Sequence, residues 1–193
     1  MTAARALMSQ KPRRPATYED LEALPPHQVG EIIAGELYAS PRPAMPHTRA
    51  ASRLGMALGG PFDTGSIGPG GWIILDEPEL HLGSDVLVPD LAGWRRERMP
   101  KLPRLAALTL APDWICEVIS SSTEKRDRGA KLPAYAREGV RHIWLVNPEQ
   151  RTLEVFRLEG TLYALLGTHV DEARVRAEPF EVLELSLYLL WEE

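Results

Sequence analysis

A mixed α/β fold, with a central mixed β-sheet flanked by helices, is the class this sequence predicts. Three observations lead to the mixed sheet with helices. Short apolar or β-branched segments alternate with stretches of helical spacing, in the order helix, strands, helix, strand. No internal repeat or low-complexity block divides the 193 residues, of which 44% are hydrophobic and 25% charged. A chain of this length buries enough surface to hold a core without disulfides or a structural metal, and Cys116 is its only cysteine.

Thr17 and Asp20 have the spacing of a capping box, which predicts a helix over Tyr18–Leu24 that Pro25 and Pro26 end. Ala34-Gly35 between Glu31-Ile32-Ile33 and Glu36-Leu37-Tyr38 predicts a tight hairpin. From His47, the recurrence of Ala50, Leu54 and Leu58 predicts a second helix stopping at Gly59-Gly60, then a glycine-rich loop to Gly71. Strands follow over Trp72–Leu75, Asp85–Val88 and Trp114–Ser120. Ser121 to Thr123 cap a helix reaching about Glu138 and ended by Gly139, with Pro133 inside it as a source of a kink. Arg141–Val146 is a further strand, and Leu153–Leu158 and Thr161–Leu166 form a hairpin about Glu159-Gly160. The apolar run in Phe180–Trp191 is either a last core element or a dimer contact.

The formal net charge is −5, which argues against nucleic-acid binding by bulk charge, though not against an enzyme acting on nucleic acid. Arg5, Lys11, Arg13 and Arg14 give residues 1–16 a charge of +4, and with Pro12 and Pro15 they read as a flexible basic arm ahead of a single domain, 17–193. No segment approaches the unbroken apolar length of a membrane span, and Met1–Pro15 lacks a signal-peptide core. With one cysteine, the expectation is an intracellular, cytoplasmic protein with no membrane partner.

Two carboxylates stand where apolar residues belong. In Asp85–Ala92, read as one strand, Asp90 ends the face that carries Val86, Val88 and Ala92. In Asp113–Ile119, Glu117 shares a face with Ile115 and Ile119. A buried carboxylate must be protonated, paired or bound to metal, because burial alone costs an ionised group several kcal/mol. For Asp90 the alternative is a Pro-Asp turn, and for Glu117 an arginine ion pair. Were the two strands neighbours joined through Trp94–Ala111, both acids would meet at one end of the sheet. Hard oxygen donors without cysteine or paired histidines favour Mg2+ or Mn2+ over zinc. Lys125 and Lys131, two of four lysines beside 18 arginines, follow Glu117 on the next helix, where either supplies a compact cation or simply a solvated face. Other constellations are weaker: Ser120-Ser121-Ser122 near Cys116 lack a partnered histidine, and the glycines at 65–71 do not lead into a helix with a lysine.

Val88-Pro89-Asp90-Leu91, Glu117-Val118-Ile119-Ser120, then Thr123, Asp127, Arg128, Gly129, Lys131 and Tyr135, then Gly139-Val140 and Trp144-Leu145-Val146-Asn147-Pro148 occur in that order. Together they resemble the Uma-type restriction endonuclease family of the PD-(D/E)XK nuclease superfamily. Thr17-Tyr18-Glu19-Asp20 and Glu31–Leu37 extend the resemblance, which covers about residues 17–158. It implies that Asp90 and Glu117 bind a divalent metal in a restriction-endonuclease-like core ordered as a helix, three strands, a helix and a strand. Ile119 occupies the place where the superfamily usually has lysine, and Lys131 is the position that matches the family's displaced lysine. By the same resemblance Glu31 and Glu36 are candidates for a further acid, against exposed hairpin charges. His47 is a candidate contact to phosphate or water, against a capping role, and Asp127 either joins the site or pairs with Lys131.

The expectation is therefore a divalent-metal-dependent endonuclease hydrolysing DNA phosphodiester bonds, with Asp90, Glu117 and Lys131 at its centre and a homodimer suited to cutting two strands. The alternatives are a catalytically inactive DNA-binding or protein-binding domain of the same fold, and a metal phosphohydrolase acting on a small nucleotide. A groove walled by Arg95, Arg96, Arg98, Lys101 and Arg104 would favour polymeric DNA, although those residues also suit a solvated loop.

Overall fold

A computed structural model describes residues 14–192. Most of the expected basic arm, residues 1–13, lies outside the described residues, and its Arg14 is paired with Asp20 at 2.7 Å. The first helix, α1 (Tyr18–Glu22), begins as the capping signal requires, with the Thr17 N–H donating to Asp20 Oδ2 at 2.8 Å. Strands β1 (Gln28–Ile33) and β2 (Glu36–Pro41) pair antiparallel about Ala34 and Gly35, whose φ values of 52° and 78° make the left-handed two-residue turn of a hairpin.

Helix α2 (Met45–Leu58) buries Ala50, Leu54 and Leu58, the stripe visible in the sequence. It does not stop at Gly59-Gly60: a widened π turn carries the chain over Gly59–Thr64 before Gly65 ends it with φ 67°. Pro61 and Phe62 of that turn are buried, so tertiary packing outweighs the two helix-weakening glycines.

Strands β3 (Trp72–Asp76), β4 (Glu79–Leu82), β5 (Asp85–Leu87), β6 (Leu91–Arg95), β7 (Ala107–Leu108) and β8 (Trp114–Val118) follow. The strand expected over Asp85–Val88 is β5, but the period-two reading continued to Ala92 spans two strands in two different sheets, with Val88-Pro89-Asp90 as the passage between them. Proline supplies no N–H to a ladder, so the passage falls there. Helices α3 (Glu124–Arg126) and α4 (Leu132–Arg137) are joined by a π turn at Asp127–Lys131. Pro133 cannot donate to the Gly129 carbonyl, and the turn just before it widens. Then come β9 (His142–Asn147), β10 (Thr152–Glu159), β11 (Leu162–Val170), β12 (Arg174–Val175), β13 (Leu185–Ser186) and α5 (Tyr188–Trp191).

The larger sheet runs β11-β10-β9-β8-β6-β3, mixed because β8 and β9 are parallel while its other pairs are antiparallel. The smaller runs β2-β1-β5-β4-β7. Around the larger sheet the order α2, β3, β6, β8, α3/α4, β9 is the expected helix, three strands, helix and strand, with β4, β5 and β7 added as part of the second sheet. One apolar cluster joins Leu54, Leu58, Trp114, Cys116, Val118, Phe180, Leu187 and Leu190, which makes Phe180–Trp191 a core segment in large part. The other joins Ile33, Leu87, Ile115, Ile119, Tyr135 and Ile143. The two residue sets of β8 thus face different clusters, and Glu117 lies with Ile115 on the side closed by α4 and the smaller sheet.

Candidate metal centre

The antiparallel register of β6 and β8, Leu91 opposite Cys116 and Ala92 opposite Ile115, brings the passage residue Asp90 alongside Glu117 and Val118. Asp90 Oδ2 accepts the Val118 N–H at 2.6 Å, and Oδ1 lies 2.6 Å from Nε2 of His47 in the first turn of α2. The Val118 bond carries out part of the local amide role expected of a Pro-Asp acid. It also fixes that carboxylate at the end of β8.

Glu117 is buried between donors from one helical face. Lys131 Nζ donates to its Oε2 at 2.9 Å, and the Tyr135 hydroxyl donates to its Oε1 at 2.6 Å. Lys131 and Tyr135 are four residues apart, which stacks them on the same side of the helix. Lys131 also reaches Glu31 Oε1 at 2.9 Å, while Asp127 Oδ1 stands 3.9 Å away. Glu31 arrives from β1, which is hydrogen-bonded to β5, and its Oε1 accepts the Val88 N–H at 2.9 Å. Arg126 closes the group, 3.7 Å from Glu31 Oε2 and 3.5 Å from Asp127 Oδ1, with its Nη1 donating to Ser40 at 2.6 Å. All of these residues except Tyr135 line a cleft of about 470 Å3, together with Arg42 and the Ser120–Thr123 loop.

Burial pushes the Glu117 carboxyl up to about 8; Lys131 opposes this, and Asp127, Asp90 and Glu31 reinforce it. Burial likewise raises Asp127. Burial disfavours the Lys131 ammonium, but Glu117, Glu31 and Asp127 outweigh it and hold this lysine protonated well above its ordinary range. Four carboxyl groups, Glu31, Asp90, Glu117 and Asp127, thus face two permanent cations, Lys131 and Arg126. Asp127 Oδ1 is buried with no hydrogen-bond partner.

An excess of hard oxygen donors, one of them a buried carboxylate oxygen without a hydrogen bond, suits a divalent cation such as Mg2+ or Mn2+. Among the described residues, however, no three histidine, cysteine or acidic side chains stand ready at metal-holding spacing. The reason is local: both oxygens of Glu117 and both of Asp90 already have protein partners. The donors fit the ion, and Lys131 occupies the Glu117 oxygen that an ion would need.

Of the residues singled out in the sequence, Asp90, Glu117, Lys131, His47, Glu31 and Asp127 meet in this cleft. Glu36 does not. It sits beside the hairpin turn opposite Ile33, exposed and hydrogen-bonded by the Tyr38 hydroxyl, two positions along β2 from the pair Glu31–Tyr38. Lys125 is exposed, and the Arg95–Arg104 group lies outside the cleft, since Arg95 ends β6 at the end away from Asp90. Arg96 pairs with Asp63 and Arg98 with Asp113, each at 2.9 Å. Tyr135 and Arg126 received no role from the sequence, although the spacing of Tyr135 from Lys131 carried the signal. Cys116 is wholly buried and burial raises its thiol, which leaves no reactive thiolate.

Residues 15–189 match the model of the Uma2 family, described as "Putative restriction endonuclease". The fold is similar to the crystal structure of "a putative nuclease belonging to DUF820" from Anabaena variabilis ATCC 29413, with TM-score 0.71 and 22% identity over 92% of this chain and 98% of that one. No curated protein matches. Among the described residues no helix is long and apolar enough to cross a membrane.

Proposed function

Because the chain belongs to the Uma2 family, we propose that it is a divalent-metal-dependent endonuclease that hydrolyses DNA phosphodiester bonds. The observation that carries this reading is the convergence of Asp90, Glu117 and Glu31 with Lys131 in one cleft, with more carboxylate than cation. Asp90 and Glu117 would hold Mg2+ or Mn2+, with Glu31 as a further acid. An ion held there would supply the positive charge that polarises a phosphoryl oxygen and eases deprotonation of water at neutral pH. His47 and the Val118 N–H hold the Asp90 carboxylate in place, and Tyr135 holds that of Glu117. Lys131, protonated and able to donate three hydrogen bonds, orients the attacking water or meets charge developing on the phosphate once it turns from Glu117. Two copies, one per strand, would give double-strand cleavage, so the proposal includes a homodimer.

A second reading, a binding domain that keeps the fold without catalysis, is favoured by the way Lys131 and Tyr135 satisfy both oxygens of Glu117. Calorimetric titration of Mn2+ into metal-free protein separates the two, with Asp90→Ala and Glu117→Ala variants alongside and plasmid cleavage as the second readout. Binding that both variants lose, together with cleavage by the wild type, is the expected result. A folded wild type that neither binds Mn2+, with or without DNA, nor cuts DNA would establish the binding-domain reading.

A further inference from the structure

A second cavity, of about 640 Å3, opens beside the metal cleft and shares Pro46, Pro148 and Glu149 with it. The mechanism above uses none of its other residues. Its lining includes Trp191 and Met45, the latter 78% exposed. Trp72, Trp94, Trp114 and Trp144 are all core residues, whereas Trp191 is only partly buried. Its indole N–H donates to the Asp171 carbonyl at 2.6 Å, which fixes the ring at the rim. An aromatic ring held by a hydrogen bond at a cavity that apolar side chains also line is a platform on which an unstacked nucleobase can pack.

Charge narrows the occupant. Arg49 and Arg151 lie on the rim, and neither forms an ion pair among the described residues; the Arg49 Nε–H donates to the Glu192 carbonyl at 3.4 Å. Glu149 and Glu192 line the same cavity, so its formal charge balances and a polyanion gains little there from charge alone. The discriminating contact is with the base, while the two arginines meet the phosphates on either side of it.

We propose that this cavity is a stacking subsite for one unpaired nucleotide of a DNA strand passing from the metal cleft, with Trp191 as the stacking ring. The proposal rests on the nuclease reading for its substrate class, and it adds that the preferred DNA is single-stranded or frayed beside the cut. Duplex DNA keeps its bases stacked and cannot fill the cavity without opening.

The test uses the full chain in EDTA, so that neither metal nor cleavage intervenes. Tryptophan fluorescence is titrated with an oligothymidylate of about eight nucleotides, with an abasic oligonucleotide of equal length and with a short duplex. Oligothymidylate should quench the Trp191 indole, and the abasic strand and duplex should not. Anisotropy with a labelled strand should show Trp191→Leu binding roughly 5- to 100-fold more weakly, and Arg49→Ala/Arg151→Ala losing affinity while still distinguishing base from abasic strand. Equal response to the abasic and normal strands, unchanged affinity in folded Trp191→Leu, or no quenching would overturn the subsite. So would quenching by an apolar peptide but not by DNA, which would assign the groove to a protein partner. Plasmid cleavage with Mn2+ is scored separately. Cleavage without quenching removes the subsite and leaves the nuclease, whereas quenching without cleavage keeps the subsite and removes the nuclease.

Discussion

Glu117 concentrates the energetics of the site because two buried donors, Lys131 and Tyr135, both bond its carboxylate. Lys131→Met leaves Glu117 and Glu31 buried without their ammonium. Breaking a buried pair from one side costs about 3–5 kcal/mol, so urea denaturation of metal-free protein should show a loss of that order, and Glu117→Gln added to Lys131→Met should recover part of it. Tyr135→Phe removes the donor to Glu117 Oε1 and should cost about 1–3 kcal/mol. A loss in the double variant equal to the sum of the singles would mean that Lys131 and Glu117 are energetically independent. Far from the cleft, His142 begins β9 with its Nδ1 lacking a hydrogen bond and 3.8 Å from Glu178. Burial lowers its pKa, Glu178 opposes that, Arg141 and Arg95 add to it, and Glu181 opposes it. The unfolded chain therefore binds a proton more readily than the folded one, and stability falls as pH drops through the unfolded value of 6.5. His142→Gln should lose less stability than wild type between about pH 7.5 and 5.5, read from thermal midpoints at both. The acid at Glu117 was legible in the sequence because period two set it between Ile115 and Ile119, and the structure places it on that side. The choice between Glu31 and Glu36 was not legible, since both lie on one hairpin and only the distance from its turn separates them.

At the scale of elements, two glycines give opposite expectations. Gly129 lies in the π turn at Asp127–Lys131, with ordinary helical backbone and open space where a Cβ would stand. Gly129→Ala should stabilise the protein by about 0.4–1 kcal/mol by restricting the unfolded chain. Gly93 in β6 has Trp114 and Trp72 ring atoms 3.2 and 3.3 Å from the place of a Cβ. Gly93→Ala should destabilise by about 1–3 kcal/mol through overpacking. Chemical denaturation measures both, and a destabilising Gly129→Ala would mean that the widened turn depends on glycine. The helix through Lys131 was readable from its caps and from Gly139, and Pro133 announced the irregularity that the π turn accommodates. Strand β5 was readable as Asp85–Val88, whereas β4 and β7, of four and two residues, were not readable. So short a run has no distinctive period, and its state is decided by partners far along the chain. The break at Pro89 was visible as a proline, but not the change of sheet that it allows.

The whole molecule assembles its acids from parts that meet only on folding. Glu31 comes from the smaller sheet, Asp90 from the passage between sheets, Glu117 from the larger sheet and Asp127 from the turn between α3 and α4. Folding therefore brings like charges together, and Lys131 with Arg126 offsets only part of that repulsion. An ion that binds this arrangement has no equivalent site in the unfolded chain, so binding must raise the folding equilibrium. At 100 times its dissociation constant Mn2+ should add about 2.7 kcal/mol. In a chain of this size that corresponds to a rise of about 5–10 °C in the thermal midpoint. Because Lys131 occupies the Glu117 oxygen that the ion would take, Lys131→Met should start less stable and gain at least as much from Mn2+ as wild type. Asp90→Ala and Glu117→Ala should abolish the rise, whereas Glu36→Ala, altered at an exposed hairpin position, should keep it. The same rise in Asp90→Ala/Glu117→Ala as in wild type would place the ion elsewhere and remove the metal from this cleft.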